Sequence, residues 1–450
     1  MDKLIIVIAV ILAVVAIAQL TRIYELSSNL RKKREEDLSY VDNSINAGLM
    51  LVFMLLFFGS AIYMMSEYGR GGMPPAASAH GRGDDMLIGQ DDLLMLNFAI
   101  IVFVFFLTNF LLFFFAWKYR MKPGNKATYF AHSNKLELVW TVVPALVLAV
   151  IIILGLKQWN EVTGPASDEA IRVELYSKQF DWTVRYSGED NKLGRTDYRL
   201  VTTDNPLGIV TGANIDSALT KMDAEIIRLT NDLNDSSKVF SAKKEESMEL
   251  QRDRFERIRR VLFNMKNTNN DSLDVYGQND VTMASNDTLY LWKGKEYEFQ
   301  FRSQDVIHSA YFPHFRAQMN TVPGMKTRFK FKPIMTTDEM REEIGDEKFN
   351  YILMCNKICG SAHSNMKLDV VVLDTKEYFD YVYRLGEDTN EDGVKDKFLY
   401  NYEAIVAEMK ELNPDFVDPL IADKKKASEP EVKEVEEAAV VNEADSVAVN

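Results

Sequence analysis

Four apolar runs constrain this chain more than any other feature: Leu4–Leu20, Ala47–Met65, Leu93–Trp117 and Leu138–Leu156, all before residue 160 of 450. Each has roughly the 17–25 residues a bilayer-spanning helix needs. Runs such as "FAIIVFVFFLTNFLLFFFAW" have no polar face to turn toward water, which argues against helices of a soluble core. Pro144 inside the fourth run is tolerated in a membrane helix. Basic residues set the orientation. Arg22, Arg31, Lys32, Lys33 and Arg34 follow the first run, and Lys118, Arg120, Lys122, Lys126 and Lys135 follow the third. The loop 66–92 carries only Arg70 and Arg82. The positive-inside rule puts the first and third connections in the cytoplasm, so both the N-terminus and the large C-terminal part face outward. The start also reads as a signal peptide with an Ala16-Ile17-Ala18 cleavage site. Cleavage would put Arg31–Arg34 outside and the soluble part inside, so a retained first helix is the expectation.

Charge divides the chain at the same place. Residues 1–158 hold 14 Lys/Arg and 12 Asp/Glu, and the remainder holds 38 and 54. An acidic soluble part argues against nucleic acid as a partner and suits a cationic protein. After Gly164 the pattern turns to period two. "IRVELYSKQFDWTVRY", "YRLVTT", "KEYEFQFRS", "TRFKFKP" and "MKLDVVVL" predict strands of a small antiparallel sandwich or barrel. Between them, Leu219, Met222, Ile226, Leu229 and Leu233 fall at helical spacing, as do Phe255, Ile258, Leu262 and Met265. This predicts an inserted helical hairpin over 216–235 and 242–267 with one apolar seam. Tyr402–Leu412 predicts a short amphipathic helix. Residues 424–450 read as a disordered acidic tail. "DTNEDG" (Asp388–Gly393) resembles the start of a calcium loop, but Leu399 stands where a bidentate Glu belongs.

"MCNKICGSAHSNM" (Met354–Met366) holds both cysteines of the chain, Cys355 and Cys359, with His363 and Met366 close behind. Two thiols outside the cytoplasm usually form a disulfide, and the spacing also approaches a helical stripe. Thiolate, imidazole and thioether together, however, are the set that suits copper. Gly360 and the strand-like flanks favour a loop at the end of a sandwich, where a rigid scaffold fixes ligands. Two bridging thiolates would hold two copper ions, each needing a terminal nitrogen. His363 supplies one. Of the five histidines, His308 and His314 remain as candidates for the other, with His308 preferred at the end of an alternating segment.

"DVIHSAYFP…VPGM" followed by "CNKICGSAHSNM" resembles the copper A signature of cytochrome c oxidase subunit II. "NKLELVWTVVPALVLAVIIILG" is similar to that subunit's second membrane helix, and "SKQFDWTVRYSGED" to the aromatic segment opening its cupredoxin domain. About residues 90–204 and 286–375 are covered. The resemblance implies a bacterial respiratory subunit in the inner (cytoplasmic) membrane with its copper domain on the periplasmic side. Together with the hydropathy, it leads to an expected fold of four transmembrane helices plus an all-β cupredoxin-like Greek-key sandwich or barrel with an inserted helical hairpin; the first two spans, the hairpin and the tail are additions to the family's common core. Copper ligands would be His308, Cys355, the Lys357 carbonyl, Cys359, His363 and Met366. Electrons would arrive from cytochrome c near Phe180 and Trp182 and leave to a haem held by subunit I, which reduces oxygen to water and pumps protons. Glu137 would lie at the mouth of a proton pathway. Other oxidase subunits, membrane lipid and a respiratory supercomplex are the further partners implied. Lys357 replaces a family Glu that helps hold magnesium, and an ammonium cannot ligate that ion. Phe180 stands where Trp is frequent. The expected division is 1–92 as an extra membrane region, 93–160 as a helix hairpin, 165–385 as the copper A domain with an insertion at about 210–270, 386–423 as an extension and 424–450 as the tail. A membrane-anchored carrier of a single copper is the competing reading.

Overall fold

A computed structural model describes residues 14–27, 35–69, 73–83, 88–269, 271–388 and 394–428. The chain divides into two compact units, one of residues 1–75 and 82–160, the other of 76–81 and 161–450.

The first unit is helical. Tyr40–Tyr68, Gln90–Lys118 and Asn134–Thr163 are long and apolar enough to cross a membrane, by length and composition. Phenylalanines join the first two of these, with Phe53 5.5 Å from Phe113 and Phe58 4.9 Å from Phe106 between ring centroids. The expected span Leu4–Leu20 falls largely outside the described residues, although 14–27 is helical. Three spans, not four, are therefore described.

The second unit is a β sandwich of two five-stranded sheets. One has the order β3-β2-β1-β5-β8 and the other β4-β10-β9-β6-β7. The strands are β1 Ile171–Lys178, β2 Asp181–Tyr186, β3 Val281–Thr282, β4 Leu289–Trp292, β5 Tyr297–Ser303, β6 His308–Phe312, β7 Ala317–Thr321, β8 Thr327–Phe331, β9 Tyr351–Cys355 and β10 Lys367–Leu373. Alternation drives the packing. Tyr297, Phe299 and Phe301 of β5 turn inward, as do Leu368, Val370 and Val372 of β10, and they meet Val173, Leu175, Trp182, Phe312 and Leu353 in one core. The sheets are not wholly antiparallel: β1 runs parallel to β5 and β4 to β10. Period two fixes which side chains point inward but not strand direction, so this difference was hidden in the pattern.

β1 departs from alternation, being buried almost throughout. Its outer face is covered by the excursion between β2 and β3, which carries helices Gly212–Asn234 and Ala242–Thr268. Ile215, Ala218 and Leu262 of these helices pack with Leu200 and Val210 in a separate small core. "YRLVTT" is no strand. Tyr198–Leu200 forms a single 3-10 turn, because the Asp197 carboxylate accepts from the Arg199 N–H and pulls the backbone into a cap.

Two boundaries also move. Residues 76–81, expected in the membrane region, are built into the β unit: Ala77 N–H donates to the His314 carbonyl at 2.7 Å, and Ile334 N–H to Ala77 at 2.9 Å. The stretch 386–423 is no appendage, since Phe398, Leu399, Tyr402, Ile405 and Val406 enter the main core. The tail's first residues belong to helix Pro419–Ser428, and 429–450 lie outside the described residues. So does most of the calcium-like turn, 389–393.

Candidate metal centre

The soft donors meet at one end of the second sheet. Cys355 ends β9, His308 begins β6, and the connection from β9 to β10 carries Cys359, His363 and Met366. Cys355 Sγ lies 3.8 Å from Cys359 Sγ, 3.9 Å from His308 Nδ1 and 3.2 Å from the Lys357 carbonyl oxygen. Cys359 Sγ lies 3.5 Å from His363 Nδ1 and 3.9 Å from Met366 Sδ. A disulfide needs sulfurs about 2.05 Å apart, so both cysteines are free thiols. His308, Cys355 and Cys359 are buried and offer three ligand atoms within 4.8 Å of one another. Burial, then the Cys355 thiol beside it, pushes Cys359 up to about 11. A metal entering here must therefore displace protons.

The surrounding hydrogen bonds hold these donors in place. His308 Nε2 donates to Asp305 Oδ1 at 2.9 Å, which leaves Nδ1 as the lone pair facing Cys355. Burial opposes ionisation of Asp305, but bonds from the His308 ring and the Gln179 and Val306 amides outweigh it and hold the carboxyl below its usual range. The Cys355 N–H donates to Met366 O at 3.0 Å, and the Asn356 N–H to Ser309 O at 3.0 Å, stitching the loop to its neighbours. The Gln179 side-chain amide donates to Cys359 O at 2.5 Å. Gly360 has φ 141°, and a Cβ there would lie 2.8 Å from two Phe180 ring atoms, so only glycine lets the ring lie over the loop.

His314 stays outside the cluster. Its ring sits edge-on to Phe349 and Tyr351, and burial, with Arg316 nearby, lowers its pKa to about 4. Phe180 is half-buried beside the loop, whereas Trp182 is fully buried with its ring 6.4 Å from that of His308. Glu137 is exposed in the first turn of Asn134–Thr163, and its N–H donates to Ser133 O. The Lys357 side chain is exposed, so only its carbonyl joins the cluster. Ile358, an apolar residue inside the loop, is 87% exposed and shields neither sulfur. Sequence reasoning passed over Asp305 and Gln179. Asp305 had a faint signal, three residues before His308 in "DVIH"; Gln179 had none.

A membrane-anchored protein with a cupredoxin-like domain ending in a buried cluster of soft donors is the class that fold and site define. The family described as "Cytochrome C oxidase subunit II, transmembrane domain" matches residues 65–157. The alternative cytochrome c oxidase subunit 2 of Bradyrhizobium diazoefficiens is 28% identical over 289 residues, 64% of this chain and 77% of its own length. The cytochrome c oxidase subunit 2 of Mycobacterium bovis is 21% identical over 272 residues, 59% of this chain and 62% of its own. The periplasmic domain of cytochrome oxidase subunit II from Bradyrhizobium japonicum aligns with 48% of this chain and 92% of its own at 15% identity, with a TM-score of 0.23. So loose a superposition adds nothing to the sequence matches. The chain is a cytochrome c oxidase subunit II-like protein.

Proposed function

We propose that this chain is the electron-receiving subunit of a respiratory haem-copper oxidase and holds a dinuclear copper A centre. The observation that carries the reading is the convergence of two thiols, two imidazole Nδ1 atoms, a thioether and a carbonyl oxygen in one pocket wall. That donor set fits copper: soft sulfur and imidazole nitrogen select it over hard cations. His308, Cys355, the Lys357 carbonyl, Cys359, His363 and Met366 would hold the pair. When bound, copper supplies a one-electron couple at the outer end of the β sandwich. The chain's own part is to move little when an electron arrives. β6, β9 and β10 fix the donors, Asp305 orients the His308 ring, and the buried Met366 acts as a weak ligand that tunes the potential.

Phe180 is the surface group beside the loop, so contact with the donor falls to it, with Trp182 behind it against His308. The donor would be cytochrome c, attracted by the acidic soluble part, and the acceptor a haem in subunit I, where oxygen is reduced to water with proton pumping. Glu137 would stand at the cytoplasmic mouth of a proton path. Residues 4–20 would form a fourth span, with the β domain on the periplasmic side of a bacterial inner membrane. Magnesium does not fit at Lys357, whose ammonium is a donor only.

Copper content and electron paramagnetic resonance of the full-length chain in detergent test this reading, beside Cys355→Ser and His308→Ala. Two coppers per chain sharing one unpaired electron, lost in both variants, support it. A single copper with a localised spectrum would instead make this a copper carrier.

A further inference from the structure

A cavity of about 680 Å³ lies in the β unit, away from the sulfur cluster, between β1, the Thr196–Val201 stretch of the excursion, and the β7–β8 turn. Tyr176, Tyr198, Arg302, Gln304, Met325 and Lys326 line it. Two of its donor groups face it with capacity left. Lys326 makes no hydrogen bond or ion pair among the described residues. Arg302 gives Nε and Nη2 to Glu174, and Nη2 also to Leu207 O at 3.0 Å, which leaves Nη1 without a hydrogen-bond partner among the described residues. Its one lining carboxylate is already engaged. Asp197, the acid at the wall, accepts from the Arg199 N–H at 2.8 Å and Nη1 at 2.9 Å. Glu174 beneath is shared by Arg185 and Arg302, and Asp280 by Arg185 and Gly194 N–H.

Among the described residues lining this cavity, Lys326 is the cation with no carboxylate in ion-pair contact, in a part of the chain where 54 acidic residues outnumber 38 basic ones. Burial, together with Arg302 and Arg185, holds its pKa below the ordinary lysine range against the pull of Glu174. A bound anion would offset that. The rest of the lining mixes polar side chains, Thr196, Ser303 and Gln304, with aromatic and apolar ones. The Arg302 guanidinium sits 4.8 Å from the centre of the Tyr176 ring and the Arg199 guanidinium 4.7 Å from that of Tyr198, while Val201, Pro323 and Met325 supply the apolar surface.

We propose that this cavity binds a small organic oxyanion: a phosphate or carboxylate group carried on an aromatic or hydrocarbon body. Lys326 and Arg302 Nη1 take the charged oxygens, and Tyr198, Pro323 and Met325 cover the body. The same chemistry is offered by a free solute and by an anionic phospholipid headgroup. The inference does not depend on copper, and the copper-free and copper-loaded chains should bind alike.

The test is calorimetric titration of the full-length chain in neutral detergent with phenyl phosphate, with phenol as the uncharged control. Phenyl phosphate binds and phenol does not. Lys326→Met weakens binding about tenfold or more, and Tyr198→Ala weakens it less. The thermal midpoint without ligand moves little in Lys326→Met, because that side chain makes no hydrogen bond or ion pair among the described residues. Absence of binding at millimolar phenyl phosphate, or equal binding by Lys326→Met, overturns the proposal. Repeating the titration in phosphatidylglycerol nanodiscs separates the sources. Suppressed probe binding identifies a headgroup as the occupant, and unchanged binding identifies a solute.

Discussion

Two buried polar clusters in the β unit invite comparison. On the outer face of one sheet, Arg185 Nη2 lies 2.6 Å from Glu174 and Nη1 2.5 Å from Asp280, with Arg302 on Glu174 as well. Two cations meet two anions, so this cluster closes its own charge balance. At the end of the other sheet, Cys355, Cys359, His308, His363, Met366 and the Lys357 carbonyl offer lone pairs and no cation. The difference teaches how to tell structure from function in a buried polar site. A cluster that pairs internally holds strands and excursion together. A cluster of soft donors with no cation among them can exchange its thiol protons for a metal.

The comparison breaks most visibly at Arg185. Arg185→Met leaves buried Asp280 with no cation and Glu174 with Arg302 alone, and should cost about 3–5 kcal/mol in thermal or denaturant unfolding of the copper-free chain. A loss under about 1 kcal/mol would mean that water already solvates the cluster. At the soft cluster, on the proposed function, the stabilising partner would be copper. Copper at about a hundredfold over its Kd should add about 3 kcal/mol to unfolding. Cys359→Ser should abolish that increment while leaving the ionic cluster intact; an increment that survives the change would place the metal elsewhere.

A smaller effect sharpens the role of Asp305. Asp305→Asn should weaken copper binding about 10–100-fold, the usual cost of losing a group that orients a ligand. Its signature is altered hyperfine structure with a nearly unmoved copper-free melting point. An unchanged affinity would reduce Asp305 to a loop cap.

The smallest effect is a pH slope in the ionic cluster. Burial, against the pull of Arg185, raises Asp280 from 3.8 to about 6. Glu174 is the opposite case: burial opposes its ionisation, but Arg185 and Arg302 win and lower it from 4.5 to about 2. Between pH 4.5 and 6 the folded chain holds a proton on Asp280 that the unfolded chain has lost, so stability rises as pH falls through this window, by up to about 2 kcal/mol. Below 4.5 the Glu174 contribution begins to be lost and offsets the Asp280 gain, and below 3.8 the trend reverses. Asp280→Asn should flatten the slope in the upper window; a slope that persists would assign it to another group.

Much of this was legible before any fold was seen. Long apolar runs marked the spans from 47 onward, because a helix without a polar face has few other places to go. The periodicity of Leu219–Leu233 and Phe255–Met265 matches the helices Gly212–Asn234 and Ala242–Thr268. The donor residues stood out as residue types at close spacing, since soft ligands are chemically distinctive wherever they lie. Other features were illegible for a common reason. "YRLVTT" has strand propensity, but a local Asp197 cap overrides it. The parallel pairing of β1 with β5 joins residues more than 120 positions apart. The docking of Ala77 against His314 and Ile334 leaves no mark on hydropathy.

The sequence by itself determined which residues could act: two thiols in five positions, an imidazole and a thioether behind them, and apolar runs to anchor the rest. These are properties of residue type and local spacing. Tertiary structure decided what they face. It chose His308 over His314, buried Trp182 and left Phe180 at the loop, exposed Ile358, and paired Glu174 with Arg185 while leaving Lys326 beside an open cavity. Each of these choices depends on contacts between distant segments, where burial and charge partners set the energy, and no local pattern records them.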